Sequence, residues 1–284
     1  MTVNLKQILQ YAEENKCAIA AVDCPTFEMA IAAIETAEEL NTPIILAHAQ
    51  IHDDMGYMKL SHIAAIFKIL ANEATVPVCI HLDHGVSQAY IEKAIDLGFT
   101  SVMYDASLKD YETNVKETKA IVALAHAKNV SVEAELGSMP SNGGESGEVF
   151  EPEDYYTKPD EAIRFINETG IDALAISYGS VHGLYKSEPK LDFDIIRRIR
   201  EKSLLPLVLH GGSGLSNLDY IHSIQAGIRK INYFTYMAYQ GGEAVKQALK
   251  ESSKNYQFQD LAIIAAKSMK ENLKRVIQLF KEVR

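Results

Sequence analysis

The chain has 284 residues, 47% of them hydrophobic and 23% charged, with a formal net charge of −10 at pH 7. That length fits one α/β barrel of about 250 residues, and the acidic balance excludes a general affinity for nucleic acid or anionic membrane. A small anionic substrate stays open, because a pocket can be locally positive in an acidic protein. Cys17, Cys24 and Cys79 show neither Cys-x-x-Cys nor zinc-knuckle spacing, so reduced thiols in a cytoplasmic protein are expected. Met1–Lys6 lacks the apolar core of a signal peptide, and no apolar run approaches the roughly 18 residues of a membrane helix.

Asn4 is placed to cap a first helix through about Asn15, with Leu5, Ile8 and Leu9 on one face. Ala18–Val22 then reads as a buried strand and Phe27–Leu40 as a helix. A second strand spans Pro43–Ala47, followed by a helix over Leu60–Asn72. The third strand is Val76–Leu82, and its helix Gln88–Leu97 ends at Gly98, a residue suited to the left-handed closing position. Thr100–Tyr104, Val130–Glu135, Ile171–Ser177, Leu205–Leu209 and Ile228–Asn232 complete the strands, with a helix over Glu112–Lys128 among the crossovers. Eight short apolar strands alternating with helices predict a parallel sheet in its closed form, a (β/α)8 TIM barrel. An open doubly wound sheet is disfavoured, because no Gly-x-Gly-x-x-Gly follows an early strand. No linker or composition break divides residues 1–284, so one barrel domain is expected. Helices at about Tyr236–Glu251 and Leu261–Val283 form a C-terminal extension suited to a subunit interface.

Catalytic groups of such barrels sit at the C-terminal ends of strands. The third strand ends in His81-Leu82-Asp83-His84-Gly85, the fourth at Asp105 and the fifth at Glu135. His182 follows the sixth, His210 ends the seventh and Asn232 the eighth. Burying such groups is costly unless they are paired or bind a metal. His84, His182 and His210 converge on one rim from three strands, and three imidazoles with an open position favour a catalytic zinc over magnesium. His81 is the rival ligand. Strand alternation sets 81 and 83 on one face and 84 on the other, so periodicity does not decide; a buried His81 bonded to backbone is the preferred reading. His52, His62, His126 and His222 fall in loops or helices, where a solvated role is the default. Gly211-Gly212-Ser213-Gly214 after the seventh strand and Asn232-Tyr233-Phe234-Thr235 after the eighth occupy the recurrent phosphate position of this fold. The long aperiodic stretch from Gly137 to Tyr156 reads as a lid carrying a carboxylate or as a solvated acidic loop.

With these motifs the chain resembles, nearly end to end, the class II (zinc-dependent) ketose-bisphosphate aldolases, the fructose- and tagatose-bisphosphate aldolase group. The resemblance rests on His81-Leu82-Asp83-His84-Gly85, Ser101–Ser107, Ser131–Gly137, Gly179-Ser180-Val181-His182-Gly183 and Leu207–Gly214. It implies His84, His182 and His210 as zinc ligands, Asp83 as the acid/base residue, and Asp105 and Glu135 as ligands of a second or alternative divalent metal position. It also implies that Gly183, Gly211, Gly212, Ser213, Asn232, Tyr233, Phe234 and Thr235 bind dihydroxyacetone phosphate, with a monovalent cation (Na+ or K+) nearby. The products would be dihydroxyacetone phosphate and an aldehyde, and the enzyme a homodimer or homotetramer. None of the strand ends offers a Schiff-base lysine, which speaks against lysine-dependent aldolase chemistry. A metal-dependent isomerase or epimerase and a catalytically silent phosphosugar-binding barrel are the competing functions.

The chain departs from the family pattern at Val22-Asp23, where Phe-Asn is usual, and at His48-Ala49-Gln50, where small or hydroxyl residues are usual. It departs also at Phe234, where Asp or Ala is usual, and at Glu145-Ser146 in the lid. Near Ser268-Met269 it lacks the arginine that binds a distal phosphate. These changes cluster where the aldehyde half would lie, so the chemistry is expected to persist with a different aldehyde.

Overall fold

The structure is a computed structural model that describes residues 1–137, 155–185, 188–251 and 254–283. Strands β1 (Thr2–Val3), β2 (Ile19–Asp23), β3 (Ile44–Ala49), β4 (Val78–Gly85) and β5 (Ser101–Tyr104) are followed by β6 (Ser131–Leu136), β7 (Ala173–Ile176), β8 (Leu207–Leu209) and β9 (Ile228–Tyr233). From β2 to β9 each strand pairs in parallel with the next, and β9 returns to β2 through Ile19↔Lys230 and Val22↔Tyr233. The sheet is therefore the closed eight-stranded barrel that the apolar runs predict. The short β1 was not foreseen; it lies beside the start of β4, with Thr2 opposite Val78.

Helices α1 (Leu5–Asn15), α2 (Phe27–Glu39), α3 (Gln50–Asp54), α4 (Leu60–Glu73), α5 (Gln88–Asp96) and α6 (Tyr111–His126) come first. They are followed by α7 (Pro159–Thr169), α8 (Phe193–Arg200), α9 (Asn217–Ala226), α10 (Thr235–Glu251) and α11 (Phe258–Glu282). Asn4 caps α1 in a reciprocal box with Gln7, and Gly98 after α5 takes φ +94°, both as the sequence predicts. Of the two helices after β9, α11 packs against both α9 and α2 and so fills the eighth helical place in the ring, while α10 lies along α11.

Two apolar regions hold this architecture. The larger lies between the strands and the surrounding helices. The smaller closes the bottom of the barrel: Leu5, Ile8, Leu9 and Ala12 of α1 meet Ile19, Ile45, Cys79, Met103 and Val208. Full burial of a Leu or Ile contributes about 1.5–3 kcal/mol, so this plug is strong enough to support a polar layer above it. There the interior changes character, with His81, Asp83, Glu133, Glu135, His210, Lys230 and Asn232 all buried. The site stands on that polar layer.

Candidate active site and metal centre

The end of β4 breaks the alternation that leaves His81 and His84 undecided in the sequence. His84 has φ +44°, and the pairing of β4 with β5 shifts register between Leu82 and Gly85. A non-glycine residue in the left-handed region costs about 1–2 kcal/mol, and a bulge of this kind re-aims a side chain. As a result the consecutive residues Asp83 and His84 both reach the cavity. Gly85 makes the bend possible, since a Cβ there would lie 2.8 Å from the Met103 carbonyl oxygen.

His84, His182 and His210 do converge. Their ring centroids are 4.6 Å apart for His84 and His210, 5.2 Å for His84 and His182, and 6.0 Å for His182 and His210. Each offers a nitrogen in one group whose ligand atoms all lie within 4.8 Å of one another. The orientation of two rings is fixed from behind. His84 Nδ1 lies 2.7 Å from Asp105 Oδ2, and His210 Nε2 lies 2.8 Å from Glu133 Oε1. An ionised carboxylate only accepts, so the proton of each ring sits on that side. His84 Nε2 and His210 Nδ1 then meet across 2.9 Å, where a protonated His84 donates to the His210 lone pair. A cation can take the place of that shared proton, and carboxylate-backed imidazoles are the usual outer support of a zinc ion. The donor set therefore fits a catalytic divalent ion. Without an ion the local field keeps His84 protonated: burial opposes its charge, yet Asp83, Asp105 and Glu135 push its pKa up to about 10. Burial, helped by His84 and His210, holds His182 down to about 3.

Asp83 is anchored by Asn232, whose Nδ2 donates to Oδ1 at 3.0 Å. Burial opposes its ionisation, but His84, His210 and Lys230 hold the carboxyl well below the usual carboxylate range. It is a fixed carboxylate beside the imidazoles. Asp23 behaves oppositely: burial and the Asp83 charge push it well above the usual range, and its Oδ1 has no hydrogen-bond partner. Glu135 is likewise buried, with Oε2 unpartnered, and burial followed by Asp105 pushes it up to about 8. Asp105, Glu135 and His84 form a second group of ligand atoms within 4.8 Å. Both oxygens of Asp105 are nevertheless engaged, Oδ2 with His84 and Oδ1 with the amide and hydroxyl of Ser107.

Two buried charged residues beside the site were missed in the sequence. Glu133 and Lys230 face the barrel interior, fully buried, with Nζ 2.8 Å from Oε2 and 3.0 Å from Oε1. Burial opposes ionisation of Glu133, but the Lys230 ammonium and the His210 N–H hold its pKa to about 2. Although no lysine stands at a strand end, one lies buried two residues below Asn232, paired with a carboxylate. Their signal was charge inside otherwise apolar strands, in Val132-Glu133-Ala134 and Arg229-Lys230-Ile231. His81 is buried as expected, but its partner is the Ser101 hydroxyl at 2.9 Å from Nδ1, not backbone. Ser101 sits opposite His81 in the β4–β5 register.

The glycine turn after β8 and the segment from Asn232 to Thr235 come together. Ser213 Oγ accepts from the Phe234 amide at 2.9 Å, tying the turn after β8 to the start of α10. Gly211 has φ +65°, and a Cβ there would collide with the Val181 carbonyl, so only glycine fits. Its own carbonyl accepts from the Tyr185 hydroxyl at 2.8 Å. Gly183, Gly211, Gly212, Ser213, Asn232, Tyr233, Phe234 and Thr235 all line one cavity of about 850 Å³ with Asp83, His84, His182, Asp105 and Glu135. The Tyr233 hydroxyl is bonded to Asn272 Oδ1 at 2.8 Å and its ring belongs to the outer core, leaving its main chain for the cavity.

The opposite wall of the cavity is α3 and the turn after it. Gln50, His52, Asp54, Met55 and Tyr57 line it. His52 corrects the sequence reading, because it is only 6% exposed, with its ring 5.0 Å from Phe234 and 6.1 Å from Tyr57. His62, His126 and His222 are exposed as expected. Burial holds His48 down to about 4 and lowers His52, so both rings are neutral at neutral pH. The expected lid carboxylates, Glu145 among them, lie outside the described residues.

A closed (β/α)8 barrel with three convergent histidines and an ionised aspartate at its C-terminal rim fits a metal-dependent barrel enzyme. Comparison with known proteins narrows the class. The family model for class II fructose-bisphosphate aldolase matches residues 3–283. A fructose-bisphosphate aldolase of Staphylococcus aureus is 39% identical over 283 residues, which covers 98% of this chain and 96% of that protein. A probable fructose-bisphosphate aldolase of Bacillus subtilis is 40% identical over 257 residues, 89% and 88% of the two chains. The crystal structure of the YdjI aldolase from Escherichia coli K12 superposes with a TM-score of 0.86 at 34% identity, covering 99% of this chain and 97% of that one. The chain belongs to the class II fructose-bisphosphate aldolase family. It is an aldehyde-lyase, and metal dependence is a property of that family.

Proposed function

We propose that this enzyme reversibly cleaves a ketose phosphate to dihydroxyacetone phosphate and an aldehyde, using a zinc ion held by His84, His182 and His210. The observation that carries the reading is the convergence of His84, His182 and His210, the first and last oriented by carboxylates with their inner nitrogens 2.9 Å apart. When bound, the ion supplies Lewis-acid polarisation of the substrate ketone and stabilises the charge that develops there. Asp83, ionised and held by Asn232, takes the proton of the C4 hydroxyl. The C3–C4 bond breaks, its electrons remain on the dihydroxyacetone phosphate half as an enediolate, and the C4 oxygen becomes the aldehyde carbonyl. Protonation at C3 completes the turnover, and in the condensation direction Asp83 returns its proton to the new hydroxyl. Gly183, the Gly211–Ser213 turn and the Asn232–Thr235 segment hold the phosphate through backbone N–H groups and the start of α10. A monovalent cation (Na+ or K+) beside that phosphate would offset its second charge.

Asp105 serves in this reading mainly to orient His84, and a second divalent position at Asp105 and Glu135 is supported by their grouping with His84. No helix among the described residues is long and apolar enough to cross a membrane, which fits a cytoplasmic enzyme of carbohydrate metabolism. A homodimer or homotetramer is inferred, with Phe258 and Ile263 exposed on α11 as interface candidates.

The test is a panel of phosphorylated ketoses assayed for dihydroxyacetone phosphate release, with and without a chelator. Chelator-sensitive carbon–carbon cleavage is expected. Rearrangement without cleavage would support an isomerase instead, and a protein that releases the triose from no ketose would sink the proposal.

A further inference from the structure

The cavity contains one cradle suited to a phosphate dianion. Glycine turns after β7 and β8 and the N-terminus of the 17-residue helix α10 lie together on one side. With the phosphate there and the reacting carbons beside Asp83 and His84, the aldehyde half must extend along the remaining wall, formed by α3 and the loops after β4 and β5. That wall is lined by Gln50, His52, Asp54, Tyr57, Val86 and Leu108. Among the described residues lining the cavity none is a lysine or arginine. Lys59, the cation nearest α3 in sequence, is exposed and does not line it. The sequence of residues 138–154 also contains no Lys or Arg, and carries Glu145, Glu148, Glu151, Glu153 and Asp154. Lys186 lies outside the described residues. The first turn of α3 carries Asp53, and Asp54 comes next, which opposes an anion at that helix start.

An unpaired dianion on this wall would meet carboxylates and lose its hydration without a compensating charge. The residues that are present offer different contacts. The Gln50 side chain is held by the Val86 amide, which donates to its Oε1 at 3.0 Å, leaving its amide group for a ligand. His52 is buried between Phe234 and Tyr57 and leaves Nδ1 without a protein partner. Amide, imidazole and aromatic faces suit a hydroxylated, uncharged carbon chain. We infer that the aldehyde taken and released here is a neutral hydroxyaldehyde, so that the ketose substrate carries one phosphate, at C1. The inference rests on the aldolase reading above and deepens it.

The test separates the two. Zinc-loaded enzyme is first incubated with dihydroxyacetone phosphate in D2O, where deuterium exchange at the hydroxymethyl carbon reports enediolate formation without any aldehyde. Condensation is then compared between D-glyceraldehyde or glycolaldehyde and D-glyceraldehyde 3-phosphate. Exchange is expected, with kcat/KM for a neutral aldehyde at least about tenfold higher than for the phosphorylated one, equivalent to about 1.4 kcal/mol. His52→Ala is expected to lower condensation with the neutral aldehyde more than it lowers exchange. Exchange accompanied by equal or better use of the phosphorylated aldehyde would overturn the inference while leaving the aldolase chemistry intact; that outcome would include a cation supplied by a second copy of the chain. Absence of exchange would overturn the aldolase reading itself, and the inference with it.

Discussion

On the β4, β8 and β9 side of the cavity each proposed reacting group is held from behind, although His81 Nε2 and Asn232 Oδ1 there also lack a hydrogen-bond partner. His84 is oriented by Asp105 at 2.7 Å, His210 by Glu133 at 2.8 Å and Asp83 by Asn232 at 3.0 Å. On the β2 and β3 side the polar atoms lack such support. Asp23 Oδ1, both ring nitrogens of His48 and Nδ1 of His52 are buried without a hydrogen-bond partner. Supported groups do not reorganise when charge develops, which is what a reaction centre needs. Buried polar atoms without partners cost about 1–3 kcal/mol each, and a ligand or ordered water recovers part of that cost. The difference separates a centre built for one reaction from a wall that selects what the reaction is done to.

The largest effect is expected at Asp83. Asp83→Asn removes the proton carrier but keeps the side-chain shape, and kcat should fall by about 10²–10⁴-fold with zinc content unchanged by elemental analysis. If turnover survived, the supported side would not be the reaction centre. Lys230→Met should come next, because it leaves the buried Glu133 carboxylate without its ammonium; about 3–5 kcal/mol of stability is at stake, read from chemical denaturation. Asp105→Asn should weaken zinc affinity by about 10–100-fold, measured by competition with a chromophoric chelator, with little change in melting temperature of the loaded protein. An unchanged affinity would show that the hydrogen bond to His84 contributes nothing to metal binding.

The smallest effect is a pH dependence of the metal-free chain. The pKa of His84, 6.5 ordinarily, stands near 10 in the fold despite burial, because of Asp83, Asp105 and Glu135. Between those values the folded chain keeps a proton that the unfolded chain has released, so stability falls as pH rises through that window. Glu135 acts with the same sign up to about 8. The melting temperature of the stripped protein should therefore drop between about pH 7 and about pH 9.5, and added zinc should reverse most of the loss by displacing that proton. A stripped protein that gains stability over this range would contradict the charge distribution around His84.

The supported side was largely legible in the sequence; of the opposite wall, Asp23, His48–Gln50 and Phe234 were located through the resemblance, and the rest was not. Strand ends could be read from apolar runs broken by Asp83, Asp105, Glu135, His210 and Asn232, because a barrel puts those breaks on one rim. The phosphate turns were legible from Gly211, Gly212 and their place after the seventh strand. The choice of His84 over His81 was not, since it depends on a left-handed residue and a register shift that period-two alternation does not contain. Glu133 and Lys230 hid inside strands too short to judge for burial. His52 was misread because the five-residue helix α3 has no periodicity to show; the long apolar reach of a strand announces itself, whereas a single buried imidazole on a short helix does not.

The most direct test of the reaction centre is the rate of dihydroxyacetone phosphate release before and after the divalent ion is stripped, with elemental analysis of each sample. Activity should disappear with the ion and return when zinc is restored, in proportion to the zinc bound per chain. A stripped enzyme that releases the triose at the full rate would contradict the three-histidine centre outright.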